Sequence, residues 1–442
     1  MKYNSVAVIG AGWAGCAAAV DLVRKGFSVT IFDSAKKPGG RAKTINYDGK
    51  LLDNGQHILL GAYEETFKFM KLVGINPSLV LKRLPLQLRY PKNSIGIDLK
   101  FSKVPAPLNL IFTLFKIKGL ERKDKLLLAK FMLFYKTIKI YPSHDFTVLE
   151  LLKKLQQNKK LIDLIWRPIC ISSMNTPPEI ASAKVFLNII KKSIGSHSDS
   201  SDMLIPKKDL SSIFPEAAIN YLLQNEGVVK LGVTIKDVNK VDDSWCLNSK
   251  EKKFIFKDII ISTSPSSAKK ILSKISINLS KKINFDYESI TTCYFQYPKD
   301  TRLNLPFYPL LTEPSKNFWG QFIFDKGHLN DIYNGLFSVV ISSSSFLEKF
   351  NKEFILKNIQ EQISVAFNNN KLMSPTWSKV FTEKKATFLT TPNLKRPETF
   401  TGFQGLYVAG DYTYEDYPAT LEGAIKSGIN ASNCILKDKI NY

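Results

Sequence analysis

Apolar residues cluster in short blocks at the two ends of this chain and spread into helical spacing between them. SVAVI (5–9) is a continuous apolar run, SVTIF (28–32) is another, and the small-residue stretch between them reads as a helix over 14–25, stopped by Gly26. Runs of this length with no polar alternation predict strands buried on both faces of a parallel sheet, with helices as the covering layer. KDIIISTSP (257–265) predicts a return strand, and LYVA (406–409) another, followed by a helix beginning near Thr420. GVVKLGVTIKDVNKV (227–241) predicts a pair of strands. TVLELLKKL (147–155) opens with Thr147 and Glu150 spaced as a capping box. In NTPPE (175–179), Thr176, Pro177 and Glu179 have the same spacing, so the segment is either a helix start or a substrate contact. Arg167-Pro168 predicts a helix break, with Trp166 either lining an apolar wall or sitting in ordinary core.

The 442 residues exceed what one simple core needs, and about two domains are expected. The strand blocks divide the chain into a discontinuous nucleotide-type domain, 1–80, 205–280 and 385–442, and a substrate domain from 81–204 and 281–384. Lys and Arg number 62 against 39 Asp and Glu, and only eight of the basic residues are arginine. Nucleic-acid readers of such charge carry clustered arginine and a recognisable module, and neither is present. The excess fits either contact with anionic lipid headgroups or lysines spread over a solvated surface. Residues 104–141 sharpen that choice, because Leu126, Leu127, Lys130, Phe131 and Phe134 set an aliphatic stripe among lysines. Such a stretch either lies in a membrane interface or packs as an amphipathic helix. No apolar run approaches the roughly 18 to 20 residues of a spanning helix, and the amino terminus runs straight into a strand, so a cytoplasmic chain, soluble or peripheral on the membrane, is expected. The five cysteines form no C-x-x-C pair, which argues against a zinc site or a disulfide framework.

The chemistry is densest where the first strand meets its helix, at Gly10-x-Gly12-x-x-Gly15. Gly10 permits the tight turn, Gly12 lets the backbone approach a pyrophosphate, and Gly15 lets the helix close on the sheet. Asp33 ends the second strand, where a carboxylate accepts from ribose hydroxyls. Gly39-Gly40-Arg41 follows, two glycines for a second backbone pass and a guanidinium suited to the diphosphate. Trp13, Ala14 and Ala42 flank these elements and complete the predicted cofactor contacts there. A second fingerprint is missing, so the electrons must come from an external donor that the sequence does not identify.

The order of glycine fingerprint, acid and GGR resembles flavoproteins of the amine oxidase and phytoene desaturase superfamily. That resemblance implies FAD, an α/β Rossmann-type domain interleaved with a mixed sheet-and-helix domain, and several further contacts. Val233 would back the adenine, Gly410-Asp411 would meet the ribitol and phosphate, and Thr420, Leu421 and Gly423 would open a helix aimed at the flavin's pyrimidine edge. Thr420 is the natural N-cap, and helix N–H groups stabilise negative charge on a reduced ring. Asn54, Gly55, Gln56 and His57 would line the reaction face. From the residues alone, Asn-Gly is also a plain turn signal and a lone histidine is often satisfied in a core.

LDNGQHILLGAYEETF, WRPICISSMNTPPEIASAKVFLNIIKKSIG, SDMLIPKKDLSSIFPEAA, EKKATFLTTP and GLYVAGDYTYEDYPATLEGAIKSG together resemble the hydroxysqualene dehydroxylases of bacterial squalene and hopanoid synthesis. The likeness spans nearly the whole chain, with Cys16 a mild departure. It implies a C30 isoprenoid substrate, hydroxysqualene, that loses its hydroxyl as water while reduced FAD gives a hydride. His57 would donate the proton or position its donor, Gln56 and Tyr417 would assist, and Tyr412 and Asp416 are weaker candidates. A carotenoid or dehydrosqualene desaturase, an amine oxidase and a non-catalytic prenyl-lipid carrier of the same fold are the competing functions.

Overall fold

A computed structural model of the protein describes residues 5–47, 49–94, 96–102, 108–137, 144–194, 199–414 and 416–440. The apolar blocks assemble into one five-stranded parallel sheet, in the order Val228–Leu231, Ser28–Asp33, Ser5–Ile9, Asp258–Ile261, Leu406–Val408. Alternation along the first strand explains why it carries no polar residue in its interior. Val6 and Val8 face the helices Trp13–Arg24, Pro215–Gln224 and Leu421–Ile440, while Ala7 and Ile9 face Trp245, Leu247 and Ile271 on the other side. The expected strands at 5–9, 28–32, 258–261 and 406–408 are all present. Both strands expected within 227–241 are present but do not pair with each other: Gly232 at φ +78° turns the chain, so Val228–Leu231 joins the parallel sheet while Asp237–Val241 enters a three-stranded antiparallel one.

A second five-stranded sheet is antiparallel throughout and draws on residues 287–388, in the order Phe307–Pro309, Phe322–Asp325, Leu336–Ser342, Tyr287–Gln296, Trp377–Phe388. One face packs on the helix Lys352–Phe367 through Cys293, Phe295 and Val339. The opposite face looks towards a layer of helices from residues 148–194, with Phe322, Phe324 and Val340 in that core. The architecture is α/β, a doubly covered parallel sheet joined to a mixed sheet-and-helix region, as the sequence implied.

The helical layer corrects two local expectations. Arg167-Pro168 does not break the helix, because a π-helical turn at Ile162–Trp166 absorbs the missing N–H and Pro168 falls in the first turn of Arg167–Met174. Trp166 is fully buried core that also lines a small apolar pocket, its ring tilted against Phe131 at 4.0 Å between centroids and its indole N–H donating to the Gln157 amide. Thr176 starts no helix. Asn175 at φ +47° ends the preceding one, the Thr176 hydroxyl donates back to the Met174 carbonyl, and Glu179 pairs with Arg167. The next helix, Ala183–Ile194, is capped instead by Ser182, whose hydroxyl accepts from the Val185 N–H. The Thr147–Glu150 capping box forms as expected.

The lipid-like stretch resolves into the helices Leu108–Lys116 and Arg122–Thr137, while its flanks at 103–107 and 138–143 lie outside the described residues. Among the described residues no helix is long and apolar enough to cross a membrane, and no cluster of three His, Cys, Asp or Glu side chains could hold a metal.

Candidate active site

A cavity of ≈ 680 Å³ runs between the two sheets. Its polar half is built at the carboxyl ends of the parallel strands, where open α/β sheets bind nucleotides. The Ala11 N–H donates to Asp33 at 2.6 Å and the Ala35 N–H to its other oxygen at 2.7 Å, so the acid that ends the second strand also fixes the glycine turn. Gly15 does not line the cavity. A Cβ there would sit 1.8 Å from the Gly10 carbonyl oxygen, which is the close helix–strand approach its position predicted. Gly12 and Gly40 face each other so closely that a Cβ on Gly40 would come within 3.2 Å of the Gly12 Cα. The two glycine elements are tied by the Gly39 N–H bonding to the Ala11 carbonyl. Val233 lies beside the acid, its N–H bonded to the Asp33 carbonyl, and lines the same wall. Trp13, Ala14 and Ala42 line it too, with the Trp13 indole N–H on the Ala42 carbonyl at 3.3 Å.

Arg41, expected at the diphosphate, lines the cavity and is held by protein partners. Its guanidinium is clasped by both oxygens of Asp411 at 2.7 Å and donates to the Ala386 carbonyl at 2.8 Å. One guanidinium nitrogen reaches both carboxylate oxygens while the other reaches the Ala386 carbonyl, two targets at once for a planar group with several donors. The clasp joins the second glycine element to Gly410-Asp411, and both residues line the cavity. Thr420 caps the last helix as expected, its hydroxyl accepting the Gly423 N–H at 3.1 Å. Thr420 and Leu421 line the cavity, whereas Gly423 sits behind them against Tyr417. A Cβ on Gly428 would come within 2.2 Å of the Ala14 carbonyl, so this thin helix packs directly on the first one. Glu422, fully buried, accepts the Thr66 N–H and hydroxyl and so anchors the start of the helix Glu64–Leu72.

Asn54 to His57 line the cavity together. The Asn54 amide donates to the Arg41 carbonyl and to Glu383. The Gln56 carbonyl oxygen accepts from Lys326 at 3.0 Å, and that ammonium also lies 3.7 Å from the buried Asp53 carboxylate. Burial pushes the Lys326 pKa down and the Asp53 pKa up, each opposed by the attraction of the other. His57 opens onto the cavity but is otherwise enclosed by protein. Burial lowers its pKa against the pull of Asp53, which keeps the ring neutral at neutral pH. Its Nδ1 lies 3.2 Å from the Gly55 carbonyl, so that nitrogen carries the proton and Nε2 is left as an acceptor. This favours positioning over standing proton donation. Tyr417 does not line the cavity; Tyr63 stands in front of it, edge-on at 6.5 Å between ring centroids. Asp411's neighbour Tyr412 is fully buried against Phe285, and Asp416 is exposed and paired with Lys192.

The other half of the cavity is apolar, walled by Leu60, Leu88, Ile169, Ile190, Phe324 and Val340. Sequence reading missed Lys326, Glu383, Tyr63 and Thr292. Glu383 begins the EKKATFLTTP segment and Tyr63 lies within LDNGQHILLGAYEETF, so both motifs were visible without the roles, while Lys326 and Thr292 carry no local signal. Asn175 of NTPPE also reaches the cavity, its amide donating to Thr387 at 2.9 Å.

Two facing glycine turns, a ribose-type acid and a capped helix end therefore converge on one cavity, the arrangement of a dinucleotide-binding oxidoreductase. The chain belongs to the flavin-containing amine oxidoreductase family, whose model matches residues 13–436. It is 24% identical to the hydroxysqualene dehydroxylase of Rhodopseudomonas palustris and 25% to that of Zymomonas mobilis, covering 98% and 97% of this chain and 98% of each relative. A zeta-carotene desaturase of Synechocystis is 24% identical over 98% of this chain and 97% of its own. In fold it is similar to a putative protoporphyrinogen oxidase of Exiguobacterium (TM-score 0.71, 12% identity, 99% of this chain and 100% of that one). Cyclohexylamine oxidase of Brevibacterium oxydans is comparable, with TM-score 0.70, 14% identity, and 98% of this chain and 99% of that one covered. The cofactor is FAD, and the glycine cradle has the open backbone it requires.

Proposed function

We propose that the protein removes the hydroxyl of hydroxysqualene reductively, giving squalene and water. What carries this reading is one cavity whose glycine cradle opens directly into an apolar chamber, in a chain that matches hydroxysqualene dehydroxylases end to end. FAD held in this cradle and reduced by an external electron donor would supply the hydride that the allylic carbon takes up. The C–O bond breaks with its electron pair on oxygen, and a proton completes water. Hydroxide is a poor leaving group, so the surrounding residues must help it leave. Lys326 donates a hydrogen bond to the Gln56 side chain, which lines the chamber, and the His57 ring is fixed on its own turn by the Gly55 carbonyl. The apolar walls exclude bulk water and align the chain of the lipid. In this reading Gly10, Gly12, Asp33, Gly39, Gly40, Val233 and Thr420 hold the cofactor, and the parallel-sheet segments 1–80, 205–280 and 385–442 form its domain.

Lipid access has its own support. Phe115 is 78% exposed and Leu126 71%, beside exposed Lys116 and Lys123. Beneath these helices lies a small apolar pocket lined by Leu114, Leu128 and Met132, which shares Leu86, Leu88 and Ile169 with the main cavity. The same reading therefore seats this face on an anionic membrane, from which the substrate enters.

The test is anaerobic mixing of the photoreduced holoprotein with hydroxysqualene. Flavin reoxidation at a rate set by substrate, with squalene as product, is expected. A product with a lengthened polyene chromophore from the oxidised protein and a carotenoid precursor would instead make it a desaturase.

A further inference from the structure

The antiparallel sheet presents a ladder of side chains to the cavity. Phe322 pairs with Val340, Val340 with Thr292, and Thr292 with Phe381, and all four line the chamber. Neighbours directly opposite in such a sheet stand side by side on one face. Thr292 is thus the one polar member of an apolar row. It is 1% exposed, and its hydroxyl has no hydrogen-bond partner among the described residues. The next residue on the same face, Tyr294, donates its hydroxyl to the Asp53 carbonyl at 2.9 Å, immediately under the Asn54–His57 turn. On the opposite face the neighbouring hydroxyl, Thr291, bonds to Ser344 and Thr382. Most buried hydroxyls are satisfied by protein or ordered water, so one left bare on a cavity wall, as Thr292 and Ser193 are, is placed to bond to what fills the cavity.

We propose that Thr292 recognises the hydroxyl of the lipid substrate, setting its C–O bond at the boundary between the apolar chamber and the polar turn. This rests on the dehydroxylase reading and deepens it, because it names the substrate class as a long hydrocarbon bearing one alcohol. A pure hydrocarbon would leave the Thr292 hydroxyl desolvated and unpaired, so the site discriminates against the very product it makes and releases it.

The experiment compares equilibrium binding of hydroxysqualene and squalene to the oxidised FAD holoprotein, read from the flavin absorbance change, where no hydride is available and no turnover occurs. The unaltered protein is expected to bind the alcohol roughly tenfold more tightly than the hydrocarbon, the worth of one buried hydrogen bond. Thr292→Val brings that ratio close to one by weakening the alcohol alone, and Thr292→Ser keeps it. Should Thr292→Val fail to fold, Thr292→Ala removes the same hydroxyl. An unchanged ratio in Thr292→Val, with preference intact in the parent, overturns the assignment and spares the dehydroxylase reading. Loss of FAD or a shifted flavin spectrum without a change in ratio also overturns it, assigning the hydroxyl to the cofactor. If neither lipid perturbs the parent's flavin, the functional reading falls and this one with it.

Discussion

The two halves of the cavity are made in opposite ways. At the cofactor half, backbone does most of the work: facing glycines, a helix terminus and carbonyls sit where side chains would intrude. At the apolar half, side chains do it, a wall of Leu, Ile, Phe and Val interrupted by single hydroxyls. Rigid, backbone-lined sites tolerate almost no change in atom count, while apolar walls tolerate changes of a methylene at modest cost.

The Asp53–Lys326 pair joins the halves, and both side chains are nearly fully buried, 3% and 8% exposed. Lys326→Met is expected to have the largest effect, destabilising by about 3–5 kcal/mol because it leaves a buried carboxylate unpaired. Adding Asp53→Asn should restore most of that in urea unfolding. A single mutant with no loss would mean that the halves stand independently.

Gly15→Ala comes next. Its methyl would strike a carbonyl rather than a movable side chain, at a cost of about 1–3 kcal/mol, together with loss of bound flavin in the absorbance spectrum. Ile190→Val, on the apolar wall, should cost about 0.5–1.5 kcal/mol and leave flavin content unchanged. Equal flavin loss in both variants would erase the contrast.

Phe115→Asp with Leu126→Asp should reduce sedimentation with anionic vesicles several-fold. The melting temperature should barely move, since exposed substitutions stay within about 0.5 kcal/mol. Unaltered vesicle binding would overturn the proposed membrane contact and leave the apolar half without it.

The smallest effect concerns His57. Its folded pKa lies below the ordinary 6.5, so between those two values the unfolded chain holds a proton that the native ring refuses. The native state is unpenalised above pH 6.5 and loses stability as pH falls from there towards the folded value. His57→Gln should flatten that part of the stability–pH curve without changing stability at pH 8.

The same contrast decides what the sequence could reveal. Gly10, Gly12, Gly15, Asp33 and Thr420 answer to local conformational demands, and their positions could be read from spacing alone. Thr292, Lys326 and Glu383 acquire meaning only through strand register, which brings residues 292, 340 and 381 into one row across long separations. Thr176 shows the converse. Its capping pattern was sound locally, but the hydroxyl was drawn to the carbonyl of the helix ending before it and to the Thr390 N–H. Arg41 was legible as a guanidinium near phosphate chemistry. Its carboxylate partner 370 positions away was not.

That separation also sets a timetable for biosynthesis. At 5–20 residues per second, roughly 20 to 75 seconds pass between the emergence of Arg41 and that of Asp411 from a translating ribosome. Throughout that interval the first helix lacks the late helix that packs on Ala14 and Ala18, and the edge of Asp258–Ile261 lacks its neighbour Leu406–Val408. A nascent chain that stopped before Leu406 would leave bare the alanine-rich face of the first helix that the last helix covers in the finished protein.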